Sequence, residues 1–199
     1  MKTNHLWIYA AITVMAISLQ ARVFAQATPA QKEQFGLPSQ YAATAFGQAG
    51  SAAGKSFGLT VFVTDITSDD QTQQLATILM QKGQDGLVKA FGDIKDLGRV
   101  SPTGSVGTGV RFVRIRPTAN GGQHIVMVTD RPISFPELYN STRSTEYKFG
   151  IVTIDVDKDG KGTGKFAPLC KVKFNKNKQL EIENYGQKPF RLANVYKQK

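Results

Sequence analysis

Residues 109–155 read GVRFVRIRPTANGGQHIVMVTD, RPISFPELYNSTRSTEYKFG and IVTID. Two long apolar strand patterns enclose a loop dense in charge, and their alternation sets the expected architecture. In 109–116, Val113 and Ile115 alternate with Arg114 and Arg116, the signature of a strand with one wet face. Residues 124–129 are apolar at both parities, so that strand belongs in the middle of a sheet. Between them, Asn120-Gly121-Gly122 supplies the positive φ angles that a tight hairpin needs. A third pattern at 148–156 resembles the second, and Asp157-Lys158-Asp159-Gly160 turns it back into a strand at 163–166.

Further along, 171–184 reads KVKFNKNKQLEIEN. Val172 and Phe174 share one parity, Lys171 and Lys173 the other, and Leu180 and Ile182 oppose Glu181 and Glu183 in the same way. Pairing Phe174 with Leu180 and Val172 with Ile182 sets Lys173 against Glu181 and Lys171 against Glu183. Such opposite-charge pairs contribute about 0.2–1 kcal/mol each, and a one-residue slip would expose the apolar set. Cys170 shares parity with Val172 and reads as a small core residue. Residues 190–196 supply a last strand.

Towards the N-terminus, LTVFVTD at 59–65 is β-branched and aromatic, a strand expected to be covered on both faces. Ser68 then fits a helix cap, with Gln71 three residues on and Asp69 and Asp70 at the positive end of the dipole. Leu75, Ile78, Leu79 and Lys82 form a stripe that Gly83 and Gly86 interrupt before Leu87, Val88 and Phe91 resume the apolar face, so two short helices with a bend are expected. Residues 99–103 read as a short edge strand because of Pro102. Residues 26–56, rich in Ala, Gln, Gly and Ser, read as a flexible linker.

Residues 1–25 carry the pattern of a signal peptide: Lys2, an apolar run of 14 residues from Leu6 to Leu19, and Val23-Phe24-Ala25 before Gln26. The run falls short of the about 20 residues needed to span a bilayer. Export to the periplasm or beyond is therefore expected, with no transmembrane segment after cleavage. Trp7, the single tryptophan, would leave with it, so the mature chain should show tyrosine-type emission only. Losing Lys2 and Arg22 leaves 23 basic against 15 acidic residues, a net charge of +8. Such a charge suits an anionic cell-envelope component as partner, or simply a solvated surface. Cys170 is alone, which excludes an internal disulfide, and a domain over 57–199 must be stabilised by its core.

Reactive groups are few. Asp155, Asp157, Asp159 and Gly160 fall where an EF-hand loop has its first ligands, but Phe166 occupies the position of the bidentate glutamate, so a hairpin turn is expected. GKGTGK at 160–165 lacks P-loop spacing, and 103–109 fits neither a dinucleotide fingerprint nor a nucleophile elbow; both read as loops. With His124 the only histidine and Cys170 the only cysteine after residue 25, neither a zinc site nor an acyl-transfer triad is supported. No metal, cofactor or catalytic residue is assigned. Carboxylate chemistry through Asp130, Glu137 or Glu146 has no spacing to single out a pair. No strong nucleic-acid signal is present.

The loop from Asp130 to Tyr147 is the densest candidate for binding. Ser134-Phe135-Pro136-Glu137 fits a capping box for one helical turn, and around it lie Arg131, Glu137, Tyr139, Asn140, Arg143, Glu146 and Tyr147. Arginine forks and aromatic rings hold carboxylates, phosphates or sugars; the same residues can instead pin the loop across one end of the sheet. TDRPISFPELYNSTRSTEYKFG and QLEIENYGQKPFRLANV, with QKGQDGLVKAF in the helix pair, resemble small secreted bacterial proteins of uncharacterised function. That resemblance implies export and a shared domain, and no activity.

The expected fold is α+β: a mainly antiparallel, strongly curved sheet or partly closed barrel or sandwich of about eight strands, with one helix pair after the first strand. The expected function is non-enzymatic binding through the 130–147 loop. A barrel carrying a small apolar ligand and a carboxylate-dependent hydrolase are the alternatives.

Overall fold

The computed structural model describes residues 28–133, 146–175, 180–185 and 188–198. Within them the strands are β1 (Ser39–Phe46), β2 (Ser56–Val63), β3 (Gly98–Pro102), β4 (Thr108–Pro117), β5 (Gln123–Thr129), β6 (Phe149–Val156), β7 (Lys161–Phe174), β8 (Leu180–Asn184) and β9 (Phe190–Gln198). All pairings are antiparallel. The wall runs from β1 to β7 in chain order, and β9 closes it by pairing with both β7 and β1. Eight strands thus form a closed barrel. β8 stands outside the circle on the far half of β7.

Alternation decides which side chains fill the interior. Tyr41, Ala43 and Ala45 of β1 are buried while their neighbours point outward, and Leu59, Val61 and Val63 of β2 repeat the pattern. Ile125, Met127, Ile154, Phe166, Phe190 and Leu192 complete an interior of large, fully buried side chains. Phe57 meets Phe166 and Phe190 edge-on at 6.2 and 5.3 Å. Eight strands leave an interior just wide enough for such side chains to fill. A sheet closed on itself also has no edge to protect.

Several expectations change. Residues 26–56 are not a linker throughout: helix α1 (Pro29–Gln34) is capped by Thr28, whose hydroxyl accepts from the Gln31 amide, and β1 lies within the barrel wall. The low hydrophobicity of SQYAATAF hides it, because one strand needs only its inward parity apolar. The longer helix α2 (Asp69–Gly92) consequently follows the second strand, not the first. β3 is not an edge; it pairs with β2 over its whole length. Pro102 is tolerated because β4 pairs only with Gly98–Val100. Phe62 stands exposed on the outer face of β2, which is therefore not covered on both faces. All of GKGTGK but Gly160 is strand, not loop: β7 opens at Lys161 and continues to Phe174. Pro168 is accommodated by a bulge, three steps of β7 (Ala167 to Cys170) against two of β6 (Ile151 to Phe149).

The hairpin at 171–184 takes the expected register, with Phe174 against Leu180, Val172 against Ile182, Lys173 against Glu181 and Lys171 against Glu183. The β4–β5 hairpin closes through the Thr118 amide donating to Gly122 O at 3.0 Å, with Gly121 at φ 77°.

Candidate ligand cleft

Three elements meet on the outside of the barrel. The outward residues of β4, β5 and β6 include Phe112, Val126, Val128 and Ile151, a second apolar face on the same strands. That is why 124–129 reads as apolar at both parities. Over this face lies α2, whose Leu75, Leu79, Leu87 and Phe91 are buried. The Phe91 ring meets Phe149 of β6 edge-on at 6.0 Å. Ser68 caps the helix by accepting from the Gln71 amide at 3.2 Å, and Asp69 pairs with Arg114 of β4 at 2.7 Å.

At Gly83 the helix breaks, with φ 62° and ψ −162°, a region open in practice only to glycine. A Cβ on Gly86 would lie 2.3 Å from that of Lys82, so the chain leaving the bend has room only for hydrogen there. Past the bend, Gln84 accepts from the Val172 amide at 3.0 Å and donates to Glu146 O at 3.3 Å. Asp85 pairs with Lys148. The kink thus fastens α2 to both the β7–β8 hairpin and the chain entering β6.

Between helix, wall and hairpin is an apolar cleft of about 380 Å³. The hairpin contributes Val172, Phe174, Leu180 and Ile182. Its lining side chains are hydrocarbon except for Thr72 and Thr153, and the Thr72 hydroxyl already donates to Ser68 O at 2.8 Å. The cleft is half open: Leu180 and Ile182 keep 54 % and 46 % of their surface exposed although they face the helix. Full burial of such side chains stabilises by about 1.5–3 kcal/mol each, so roughly half of that is left ungained here.

Of the candidate loop residues, Glu137, Tyr139, Asn140 and Arg143, with the expected turn at 134–137, lie outside the described residues. Arg131 is exposed just past β5, its carbonyl accepting from the Thr129 hydroxyl. Glu146 and Tyr147 are brought together against the hairpin. Glu146 pairs with Lys171 at 3.2 Å, and the Tyr147 hydroxyl donates to Glu183 at 2.6 Å while its ring meets Tyr185 at 4.9 Å. The bond to Glu183 pushes the Tyr147 phenol up to about 12, and the same bond holds the Glu183 carboxyl below its ordinary range. These two residues brace the hairpin that walls the cleft.

Other reactive groups are engaged elsewhere. Cys170 is buried, its thiol donating to Phe149 O at 3.3 Å, and burial pushes it up to about 12. His124 Nδ1 lies 2.5 Å from Asp155 Oδ1 across β5 and β6 on the outer wall. Asp157 accepts from the amides of Asp159 and Lys161, both at 2.9 Å, which makes the aspartate-rich segment a hairpin turn. Asp130 is held by Arg111 at 3.0 Å, and Arg111 also reaches Asp96 at 3.2 Å. No group of three or more His, Cys, Asp or Glu side chains gathers among the described residues. Sequence reasoning missed the cleft. Its signal was the double apolar parity of 124–129, which shows that a second layer exists but not that the layer leaves a gap. No family model, no curated protein and no solved structure matches this chain.

Proposed function

We propose that this chain is an exported, non-enzymatic binding protein that holds a small apolar ligand in the cleft between α2, the barrel wall and the β7–β8 hairpin. One observation carries the reading: a half-open cleft of about 380 Å³ with almost no polar group in its lining. That volume falls within the roughly 300–1,000 Å³ of small-molecule sites. The ligand sits outside the barrel, because the interior is occupied by the chain's own side chains. Leu180 and Ile182 are the residues that gain burial when it binds. Glu146 and Tyr147 act as positioning residues by holding the hairpin over the ligand. The signal-peptide pattern of residues 1–25 and the resemblance to small secreted bacterial proteins support export. The buried, proton-retaining thiol of Cys170 supports a non-catalytic role.

The test is titration with a series of environment-sensitive apolar fluorophores and long-chain fatty acids. Wild type should bind saturably at one site. Leu180→Asp with Ile182→Asp should weaken binding at least ten-fold while circular dichroism stays unchanged, since both side chains are half exposed already. Equal binding by that variant, or no saturable binding by wild type, would rule the reading out.

A further inference from the structure

The wall opposite α2 has a different chemistry. Outward residues of β7, β9, β1, β2 and β3 fall into rows that the register specifies. Lys165, Arg191, Phe46 and Ser56 form one row, and Lys161, Tyr196, Ala42, Thr60 and Ser101 another. Gln198, Gln40, Phe62 and Arg99 form a third. Between the first two lies a floor of small residues, Ala193, Thr44 and Gly58. Lys165, Arg191 and Phe46 on one side and Lys161 and Tyr196 on the other therefore flank a shallow trough that crosses the strands. Both rows run from β7 to β2, three strand spacings or about 14 Å, and the Thr103 side chain lies over Gly58 at its end.

Lys161, Lys165, Arg191 and Arg99 supply four cations, and none of them forms an ion pair among the described residues. Arg191 lies over the Phe46 ring at 5.5 Å and keeps its charge outward. No outward residue of these strands within the rows is a carboxylate. The acids lie at the margins: Asp96 shares Arg111 with Asp130, Asp155 lies 2.5 Å from His124, and Asp157 and Asp159 occupy the turn before Lys161, where Asp157 accepts backbone amides. The rings of Tyr196 and Phe62 stand exposed, and beside Phe62 is a shallow depression of about 440 Å³ bounded by Thr64, Asp96 and Arg99.

We infer that this face binds an acidic polysaccharide, a uronate- or sulfate-bearing chain laid along the trough. The cations match its charges and the two exposed rings offer flat apolar faces for sugar rings. The remaining polar groups decide the partner class. Thr44, Thr60 and Ser101 both donate and accept, as does the Gln40–Gln198 pair through the groups its mutual bond leaves over, which suits sugar hydroxyls that do the same, whereas a phosphodiester only accepts. A single-stranded nucleic acid would need more free rings than two to stack successive bases. The face is separate from the apolar cleft, so its role stands or falls independently of the ligand proposed there.

The experiment is affinity measurement on polygalacturonate, with neutral dextran, oligo-dT and anionic phospholipid vesicles as comparison arms. Wild type should bind polygalacturonate and not dextran, with affinity falling as salt rises. Lys165→Glu with Arg191→Glu should weaken binding at least ten-fold. So should the uncharged change Tyr196→Ala with Phe62→Ala, with near-unchanged circular dichroism. Lys82→Glu with Lys89→Glu, an equal change of charge on exposed positions of α2, should leave binding within two-fold. Tighter binding to oligo-dT or vesicles than to polygalacturonate overturns the assignment of partner. Equal loss in the α2 control overturns the assignment of the surface, as does absence of binding by wild type.

Discussion

Gly83 shows how much one residue decides. Its backbone lies where a side chain is strained whatever the surrounding space, and a Cβ there would meet nothing within 4 Å. Gly83→Ala therefore isolates backbone strain. It should destabilise the protein by about 1–3 kcal/mol, read from denaturant midpoints. Cys170 makes the opposite point: its parity in KVKF already marked it as buried, and its environment explains its acidity. The folded thiol ionises at about 12 against an ordinary 9.0. Its contribution to stability is complete below pH 9 and is lost as pH rises towards 12, at up to about 1.4 kcal/mol per unit. Denaturation at pH 8 and pH 10 should show a smaller drop in Cys170→Ala than in wild type. A drop of equal size would place the thiol in water.

The β7–β8 hairpin is the element whose register is most legible in the sequence, because apolar parity and opposite charges select the same pairing. Its charges settle slightly differently. Lys173 lies 3.8 Å from Glu181 and 3.7 Å from Glu183, while Lys171 turns to Glu146. What the alternation could not say is where the apolar face would point or how completely it would be covered. That depends on α2, and the link is Gln84. Gln84→Ala leaves the part-buried Val172 amide without its acceptor, at a cost of about 1–3 kcal/mol. Faster hydrogen exchange at Val172, with the barrel amides unchanged, is the expected readout; exchange rising uniformly would mean the contact belongs to the global fold.

At the scale of the molecule, closure depends on strands far apart in the chain. β1 and β9 pair through Gln40 with Gln198 at one end and Phe46 with Arg191 at the other. Deleting residues 190–199 should leave β1 and β7 as unpaired edges and give an aggregating product without sharp near-ultraviolet circular dichroism. A monomeric, cooperatively folding deletion would show that the seam is dispensable.

Local pattern by itself determined most of the antiparallel strands, the two glycine-bearing hairpins and the bend in α2, because each rests on glycine positions, on contacts within a few residues or on side-chain parity. The closed barrel, the membership of β1 and the cleft were decided only by tertiary structure. Closure needs the first and last strands to meet, a pairing that local pattern does not encode. The cleft is a gap between three separately legible elements, and a gap has no residues of its own to announce it.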